Sequence, residues 1–239
     1  MPQQYPETPG GDDARGFLFA PDGSGSVFEL EHAEHGLQLH ARHRPKYAPL
    51  HLEWRSREQQ RRVAGGKRQL LGRAVGLHKH AGLHVLDATG GLGRDAWTLA
   101  ALGARVDLVE RQPLLAALLR DAHARSLADP AYGVIAQRLN LIESDAAAVL
   151  GGGGHWDVVH LDPMYPDHGR HALPQREMQF LRELSGDDGD ADALLAPARA
   201  ACRLRTVVKR PLHAPHLDGR MPDFQLTGTQ ARYDVYLPS

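Results

Sequence analysis

The stretch His84-Val-Leu-Asp87-Ala-Thr-Gly90-Gly91-Leu-Gly93-Arg94-Asp95 combines three features that decide the fold of this chain. Apolar residues that end in an acid predict a strand, the glycines predict a tight turn, and the residues after the turn predict a helix. A strand, a glycine-rich turn and a helix in this order let backbone amides approach a nucleoside closely. The motif therefore predicts one unit of an α/β sheet with a ligand site at the turn.

The residues around this motif alternate between strand and helix patterns. The predicted strands are Leu83–Ala88, Arg105–Val109, Leu139–Glu143, Asp157–Leu161, Thr206–Lys209, Phe224–Thr227 and Arg232–Tyr236. The predicted helices are Asp95–Leu102, Pro113–Leu127, a segment near Pro174–Leu184 and a segment near Ala191–Cys202. Such alternation predicts a Rossmann-like, mostly parallel seven-stranded sheet with helices on both faces. The two closing strands predict an antiparallel last strand.

The residues before the motif have a different texture. Residues 1–16 are rich in Pro, Gly and Asp and predict a frayed tail, whereas two apolar runs between Gly16 and His40 predict strands separated by a turn at 21–25. Helical spacing of apolar residues follows between Lys67 and Val75. We therefore predict a tail and small β-rich appendage with a basic segment over residues 1–60, and the α/β domain over 61–239.

Composition excludes several classes of protein. The chain has 239 residues, of which 42% are hydrophobic and 24% charged, which is typical of a folded globular domain. The longest stretch without Asp, Glu, Lys or Arg runs over the 11 residues Ala146 to Trp156, too few for a membrane span. No secretory signal is evident, and the single Cys202 excludes an internal disulfide. We expect a cytoplasmic protein.

Positive charge is concentrated in one segment, although the net charge of the chain is only −1. Between Arg42 and Lys79 there are eleven Lys or Arg residues and two Glu, a local net charge of +9. A segment of this density is typical of a surface that contacts a phosphate backbone, with Arg61, Arg62 and Lys67 as candidate contacts. The alternative is a solvated helix face whose counter-charges lie elsewhere in the fold.

Two acids at strand ends narrow the class of ligand. Asp87 stands directly before the glycine turn, where a fixed negative charge does not suit a pyrophosphate but suits a cofactor with a cationic end, such as S-adenosylmethionine (SAM). Glu110 ends the next predicted strand, 19 residues after Gly91, where a carboxylate can accept both ribose hydroxyls. Glu110 alone is shared with dinucleotide-binding folds, so it indicates a nucleoside cofactor and no more.

The run Asp162-Pro163-Met164-Tyr165-Pro166 follows the predicted strand 157–161 at the sheet edge that presents ligands. The Asp162 carboxylate can accept a hydrogen bond from an exocyclic amino group, and the Pro163 carbonyl can accept a second. Tyr165 offers a face on which a flipped base can stack. This predicts methylation of an amino nitrogen; guanine N2, adenine N6, DNA cytosine N4 and a protein glutamine amide all remain open.

Four stretches of the chain resemble one known family: DATGGLGRDAWTLAALGARVDLVERQP, HLDPMYP, ALPQREMQFLRELSGDDGDADALLAPAR and VVKRPLHAP. They are similar to the ribosomal RNA small subunit methyltransferase J (RsmJ) family, over approximately Arg61 to Tyr236. Members are bacterial enzymes that transfer methyl from SAM to the N2 amino group of a guanosine in 16S rRNA. The resemblance implies a class I SAM-dependent methyltransferase fold, SAM as cofactor, and 16S rRNA or the small ribosomal subunit as partner. We expect no metal, because no residues stand at metal-ligand spacing.

The resemblance also implies roles for particular residues. The glycines Gly91 and Gly93 belong to the cofactor turn, and the family pattern has Ala where this chain has Gly90. The pattern has small hydroxylated residues where this chain has Asp145 and Ala146. The implied cofactor contacts are Arg94, Asp95, Glu110, Arg111, Asp145, Ala146 and Asp162. Lys209 and Arg210 are candidates for contacting RNA phosphate or for shaping the base pocket.

Two other classes of function remain as alternatives. An NAD-linked oxidoreductase shares the glycine turn and Glu110, but it leaves Asp87 and the Asp162–Pro166 run unexplained. A non-catalytic RNA-binding assembly factor on the same scaffold is the second alternative, and the intact Asp87, Glu110 and Asp162 argue against it. His78, His80 and His84 lack acidic or Cys partners at metal-ligand spacing, so we interpret them as surface residues.

Overall fold

The computed structural model describes residues 18–19, 27–163, 182–184 and 191–238. The predicted helix near Pro174–Leu184 lies outside the described residues except for 182–184, which are helical. The described chain forms two sheets.

The first sheet has four antiparallel strands in the order of the chain, which accounts for the predicted β-rich appendage. Its strands are β1 (Leu18–Phe19), β2 (Phe28–Ala33), β3 (Gly36–Ala41) and β4 (Leu50–His51). In β3 the side chains of Leu37, Leu39 and Ala41 alternate inward, as expected for a strand with one buried face. β4 lies within the basic segment, where the sequence analysis predicted no strand.

Two short helices connect the sheets. They are α1 (Arg57–Ala64) and α2 (Leu70–Val75). The Ser56 side chain accepts from the backbone N–H of Gln59 at 3.2 Å and caps α1, whereas α2 ends at Gly76 in a left-handed conformation. The apolar spacing between Lys67 and Val75 predicted α2, whereas α1 was not predicted.

The second sheet has seven strands. They are β5 (His84–Asp87), β6 (Arg105–Glu110), β7 (Leu139–Glu143), β8 (Trp156–Leu161), β9 (Cys202–Pro211), β10 (Phe224–Thr227) and β11 (Ala231–Tyr236). Their order is β10-β11-β9-β8-β5-β6-β7. The ladders from β9 to β7 are parallel, and β11 runs antiparallel to both β9 and β10. The predicted mostly parallel sheet with an antiparallel last strand is confirmed.

Helices cover both faces of the second sheet. They are α3 (Arg94–Ala101), α4 (Pro113–Leu127), α5 (Gly133–Ala136), α6 (Ala146–Gly151) and α7 (Leu195–Ala201), the last preceded by a 3-10 turn over Ala191–Leu194. Neighbouring strand residues point to opposite faces, so Val158 belongs to one apolar cluster and Val159 to the other. Burial on both faces explains why the strands are almost wholly apolar.

The two sheets share one apolar cluster. Phe28 and Leu39 of the first sheet belong to the same cluster as Leu115 of α4. Trp54 stacks on Trp97 of α3 with ring centroids 5.3 Å apart, and its indole N–H donates to the Leu92 carbonyl at 2.9 Å. The boundary at 60/61 falls inside α1, and the division into two domains there stays a prediction.

Candidate functional site

The carboxyl ends of β5, β6, β8 and β9 meet at one edge of the sheet, as parallel strands require, and line a cleft of about 400 Å³. We call it the cofactor cleft. The structure brings together there most of the residues that the sequence predicted for the site. Its lining includes Asp87, Gly91, Arg94, Asp95, Glu110, Arg111, Asp145, Ala146, Asp162 and Pro163. Tyr165 lies outside the described residues.

The three glycines of the turn differ in the space around them. Gly91 has a φ of +53° and faces open space where a Cβ would stand, so its backbone is accessible from the cleft. A Cβ on Gly90 would lie 2.6 Å from the carbonyl oxygen of Val109, which excludes the alanine of the family pattern without a shift of the backbone. Gly93 does not line the cleft; a Cβ there would lie 2.7 Å from the Trp54 ring.

Glu110 is held in one orientation by backbone amides. Its Oε2 accepts from the N–H of Gly91 and its Oε1 from the N–H of Gln112, each at 2.8 Å. The carboxylate at the end of β6 is therefore tied directly to the glycine turn that follows β5. Since each carboxylate oxygen can accept more than one hydrogen bond, Glu110 can still accept from a ligand in the cleft.

Asp145 and Arg111 form the rim of the cleft beyond Glu110. Oδ1 of Asp145 accepts from the N–H of Ala147 at 2.8 Å and caps α6. Its Oδ2 lies 3.7 Å from Nη1 of Arg111. The departure from the small hydroxylated residues of the family pattern thus has a structural use, because the acid both caps the helix and faces the cleft.

Asp87 pairs with a histidine that the sequence analysis did not single out. Its Oδ1 lies 3.3 Å from Nδ1 of His160, and both side chains are buried. Burial alone would lower the pKa of His160, but the carboxylate of Asp87 raises it above the ordinary value. Nε2 of His160 is buried and has no hydrogen-bond partner among the described residues, although the residue lines the cleft.

Lys209 joins two acids of the cleft. Its ammonium donates to Oδ2 of Asp95 at 2.9 Å and to Oδ2 of Asp162 at 2.7 Å. Asp95 also lies 3.5 Å from the guanidinium of Arg62. Burial would raise the pKa of Asp95, but the charge of Lys209 holds it below its ordinary value. Burial would lower the pKa of Lys209, whereas Asp162 and Asp95 raise it well above the ordinary value.

Asp162 is fixed by a second contact. Its backbone N–H donates to the hydroxyl of Thr89 at 2.6 Å, which ties the end of β8 to the turn after β5. With Oδ2 bound to Lys209, no hydrogen bond within the described part of the chain engages Oδ1 of Asp162. Its side chain is 40% exposed, so Oδ1 is available to a donor in the cleft.

Lys209 and Arg210 are consecutive residues at the end of β9, so their side chains point to opposite faces of the sheet. Lys209 faces the cofactor cleft, and its ion pairs support a role in shaping the pocket. Arg210 is only 5% exposed and donates through Nε and Nη2 to the carbonyl of Pro215. This placement supports a role in holding the strand end and offers little access to RNA phosphate.

The basic segment divides into two halves. In the first half Arg42 pairs with Glu29, Arg44 pairs with Glu183, and Arg55 pairs with Glu53 at 2.7 Å. These three cations have the counter-charges that the solvated-face interpretation requires, whereas Lys46 and Arg57 of the same half are exposed and form no ion pair within the described residues. In the second half Arg62 pairs with Asp95 at the cleft, whereas Arg61, Lys67, Arg68, Arg73 and Lys79 are exposed and form no ion pair within the described residues.

Comparison with known proteins decides the family. A family model described as "Putative SAM-dependent methyltransferase" matches residues 19–238. Ribosomal RNA small subunit methyltransferase J of Stutzerimonas stutzeri is 42% identical over 87% of this chain and 83% of its own length. The enzyme of the same name from Shewanella loihica is 39% identical over 98% of this chain and 91% of its own length. The chain belongs to the RsmJ family.

A solved structure supports the same assignment. The crystal structure of a SAM-dependent methyltransferase from Neisseria gonorrhoeae is 32% identical and superposes with a TM-score of 0.70, covering 92% of this chain and 86% of that one. The resemblance predicted from the sequence is confirmed, and so is the class I methyltransferase fold. The chain is a SAM-dependent enzyme.

The cofactor cleft of this RsmJ-family chain fits SAM. Carboxylates suit a ligand that has a cationic end and ribose hydroxyls, the backbone at Gly91 is open, and the buried Nε2 of His160 is available to a polar group. Within the described ranges no cluster of His, Cys, Asp or Glu has the arrangement of a metal site. No helix in the described part of the chain has both the length and the apolar character needed to cross a bilayer.

Proposed function

We propose that this chain transfers a methyl group from SAM to the exocyclic N2 amino group of a guanosine in 16S rRNA. The observation that carries the proposal is Asp162, which stands at the carboxyl end of β8 with Oδ2 bound to Lys209 and Oδ1 open to the cleft. The curated relatives are named for methylation of small-subunit ribosomal RNA, which supports RNA as the substrate.

The cofactor contacts are assigned by position in the cleft. Glu110 would accept the ribose hydroxyls, because it ends β6 and its orientation is already set by the turn amides. Asp145 and Ala146 would border the adenine, with Arg111 on the rim. Asp87, Arg94 and Asp95 would face the amino-acid end, where Asp87 favours an ammonium and Arg94 a carboxylate. Gly91 supplies an open backbone at the turn, and Gly93 supports it by packing on Trp54.

The amino group of the substrate would be held by two acceptors. Oδ1 of Asp162 and the carbonyl of Pro163 can each accept one of its hydrogen atoms, which turns the nitrogen lone pair towards the cleft. Lys209 and Thr89 keep the acid from rotating away. Tyr165, the predicted stacking residue, lies outside the described residues.

SAM, when bound, supplies an electrophilic methyl group on a sulfonium that leaves readily. The protein therefore has to position its substrate rather than to supply a strong acid or base. Methyl transfer would leave one proton to be removed from the methylated nitrogen. Oδ1 of Asp162, which would accept a hydrogen bond from that amino group, would take this proton after the methyl group has moved and pass it to solvent.

The test is transfer of radiolabelled methyl from SAM to small-subunit particles that lack the modification, followed by nucleoside analysis of the digested RNA. We expect labelled N2-methylguanosine, and no label on particles that already carry the modification. Label in another nucleoside would reject guanine N2 and keep the methyltransferase. No label despite measurable SAM binding would reject 16S rRNA as the substrate. With 16S rRNA as the substrate, we propose that the enzyme acts in the cytoplasm.

A further inference from the structure

A second cavity of about 320 Å³ lies at the same sheet edge as the cofactor cleft. It is bounded by α2 and by the β10–β11 turn, through Leu70, Thr229 and Gln230. Three further residues, Arg62, Asp95 and Lys209, line both cavities. This charged trio therefore forms a common wall, with the cofactor cleft on one side and the second cavity on the other.

The lining of the second cavity combines apolar surface with polar groups that can form hydrogen bonds with a ligand. Leu70 and Tyr233 supply apolar surface, and Thr229 and Gln230 are exposed polar side chains at its mouth. Nε2 of Gln69 is buried without a hydrogen-bond partner among the described residues. The volume is at the lower end of the roughly 300 to 1,000 Å³ that is usual for small-ligand sites, so it suits a group the size of a nucleobase.

Exposed cations flank the lining of the second cavity in the sequence, and we call them the cationic rim. Between Gln59 and Leu86 the sequence has no Asp or Glu. Arg61 precedes the lining residue Arg62 in α1, and Lys67 and Arg68 precede the lining residue Gln69; all three are exposed without an ion pair in the described residues. The one acid in the lining, Asp95, is already neutralised by Lys209 and Arg62. An anionic ligand that extends beyond the cavity fits this arrangement.

We propose that the second cavity binds a nucleotide of the RNA strand that adjoins the target guanosine. The base enters between Leu70 and the β10–β11 turn, and its phosphodiester lies along the cationic rim. The common wall places this nucleotide beside Asp162, since Lys209 contacts that acid directly. The inference rests on the proposed function in taking RNA as the substrate, and it adds a site that the methyl-transfer chemistry does not require.

The test measures RNA binding without methyl transfer. Filter binding of an unmodified 16S rRNA transcript is compared for wild type, Thr229→Trp, which fills the cavity mouth, and Thr227→Trp, an exposed change on the same hairpin outside the lining. We expect the Kd for RNA to rise at least tenfold in Thr229→Trp and to stay within twofold in Thr227→Trp. The Kd for SAM stays within twofold in both.

A second variant tests the proposal even if the bulky side chain of Thr229→Trp prevents folding. Gln230→Glu is isosteric and adds one negative charge at the cavity mouth, whereas Gln137→Glu adds the same charge at an exposed position directly after α5. We expect weaker RNA binding only in Gln230→Glu. Unchanged RNA affinity in Gln230→Glu and in folded Thr229→Trp would overturn the proposal. An equal loss of SAM affinity would also overturn it, because the cavity would then belong to the cofactor site.

These outcomes are separate from those of the methyl-transfer assay. RNA binding that depends on Thr229 and Gln230, together with no methylated guanosine, would reject the proposed reaction and keep the nucleotide site. Methylated guanosine, together with variants that bind RNA as wild type does, would reject the nucleotide site and keep the proposed reaction. No binding of the transcript by the wild-type chain, together with no methyl transfer to the particles, would overturn both.

Discussion

The cofactor cleft and the second cavity share a wall but differ in charge and in how their polar groups are held. The lining of the cleft has five carboxylates and five Arg or Lys side chains, and Glu110 is fixed by two backbone N–H groups before any ligand binds. In the second cavity the rim is basic, and its cations extend into solvent without partners in the described residues. One sheet edge thus offers a preorganised site with fixed carboxylates and an adaptable basic site.

The contrast shows how one edge can separate two ligands of opposite charge. A cationic cofactor is repelled by the basic rim and attracted by the acids, and an anionic strand experiences the opposite field. The boundary between the carboxylates of the cleft and the basic rim is formed by Lys209, Asp95 and Arg62. Together with Asp162, which Lys209 also contacts, their positive and negative charges balance, so the boundary itself favours neither ligand.

The largest effect is expected at Asp162, on the acidic side of the boundary. Asp162→Ala removes the acceptor for the amino group, so the substrate nitrogen is no longer oriented. We expect kcat to fall by about 100-fold or more, with a much smaller change in the Kd for SAM. Asp157→Ala is the matched control, because Asp157 lies at the other end of β8 and accepts from the N–H of His84. Unchanged turnover in a folded Asp162→Ala would remove this acid from the mechanism.

The next effect is expected at the boundary itself. Lys209→Met leaves Asp95 and Asp162 facing each other without their shared cation, so Asp162 loses its orientation. We expect kcat to fall by about 10- to 100-fold, since misplaced groups lose much of their catalytic effect. Lys209→Arg should recover part of the loss. A phosphate-contact role would instead lower the salt dependence of RNA binding and leave kcat unchanged.

The same variant has a signature in the pH profile. Lys209 holds the pKa of Asp95 below its ordinary value against the effect of burial. Without Lys209 that pKa rises, so Asp95 becomes protonated at a higher pH than in wild type. Because Asp95 would face the amino-acid end of SAM, we expect the acid limb of SAM affinity to move to higher pH in Lys209→Met and to return towards wild type in Lys209→Arg. An acid limb at the same pH in all three proteins would contradict this coupling.

A smaller effect is expected at the preorganised carboxylate. Glu110→Gln places an amide NH₂ where the carboxylate accepts from Gly91 and Gln112, and it weakens the contact to ribose. We expect the Kd for SAM to rise about tenfold, because hydrogen bonds to charged groups contribute about 1.5 to 3 kcal/mol. Glu143→Gln is the control, since Glu143 is the register partner of Glu110 on β7 and pairs with Arg120. Calorimetric titration of both variants separates the outcomes; equal affinities would exclude Glu110 from the cofactor site.

The fold and the acidic half of the site could be predicted because their signals are local. Asp87, Glu110 and Asp162 each follow or end an apolar run, and a parallel sheet must bring such ends to one edge. The glycine turn is equally local, although the sequence alone could not show that Gly90 has no room for a Cβ beside Val109. That restriction comes from the neighbouring strand.

The rest depends on contacts between residues far apart in the chain. Lys209 is 47 residues from Asp162 and 114 from Asp95, so nothing near it in the sequence marks it as a partner of either. His160 has the position of an ordinary strand residue, and only the fold shows that it meets Asp87. Helix α1 was missed because it has no apolar spacing: its only apolar residues are Val63 and Ala64, and its buried side chain is the polar Gln59. The two halves of the basic segment look alike in the sequence because the acids that pair with Arg42 and Arg44 lie outside the segment.

The smallest effect is expected when cations are removed from one half of the basic segment at a time. Arg61→Gln with Lys67→Gln removes two unpaired cations from the rim, whereas Arg42→Gln with Arg44→Gln removes two that already pair with Glu29 and Glu183. We expect the first pair of changes to weaken RNA binding several-fold and to reduce the slope of log Kd against log salt by about 0.7 to 0.9 for each phosphate that is no longer neutralised. The second pair should leave the slope unchanged, because cations neutralised within the protein release few counterions from RNA. Equal slopes for the two double variants would mean that the rim is a solvated surface. The basic side of the boundary would then include Arg62 but not Arg61 or Lys67.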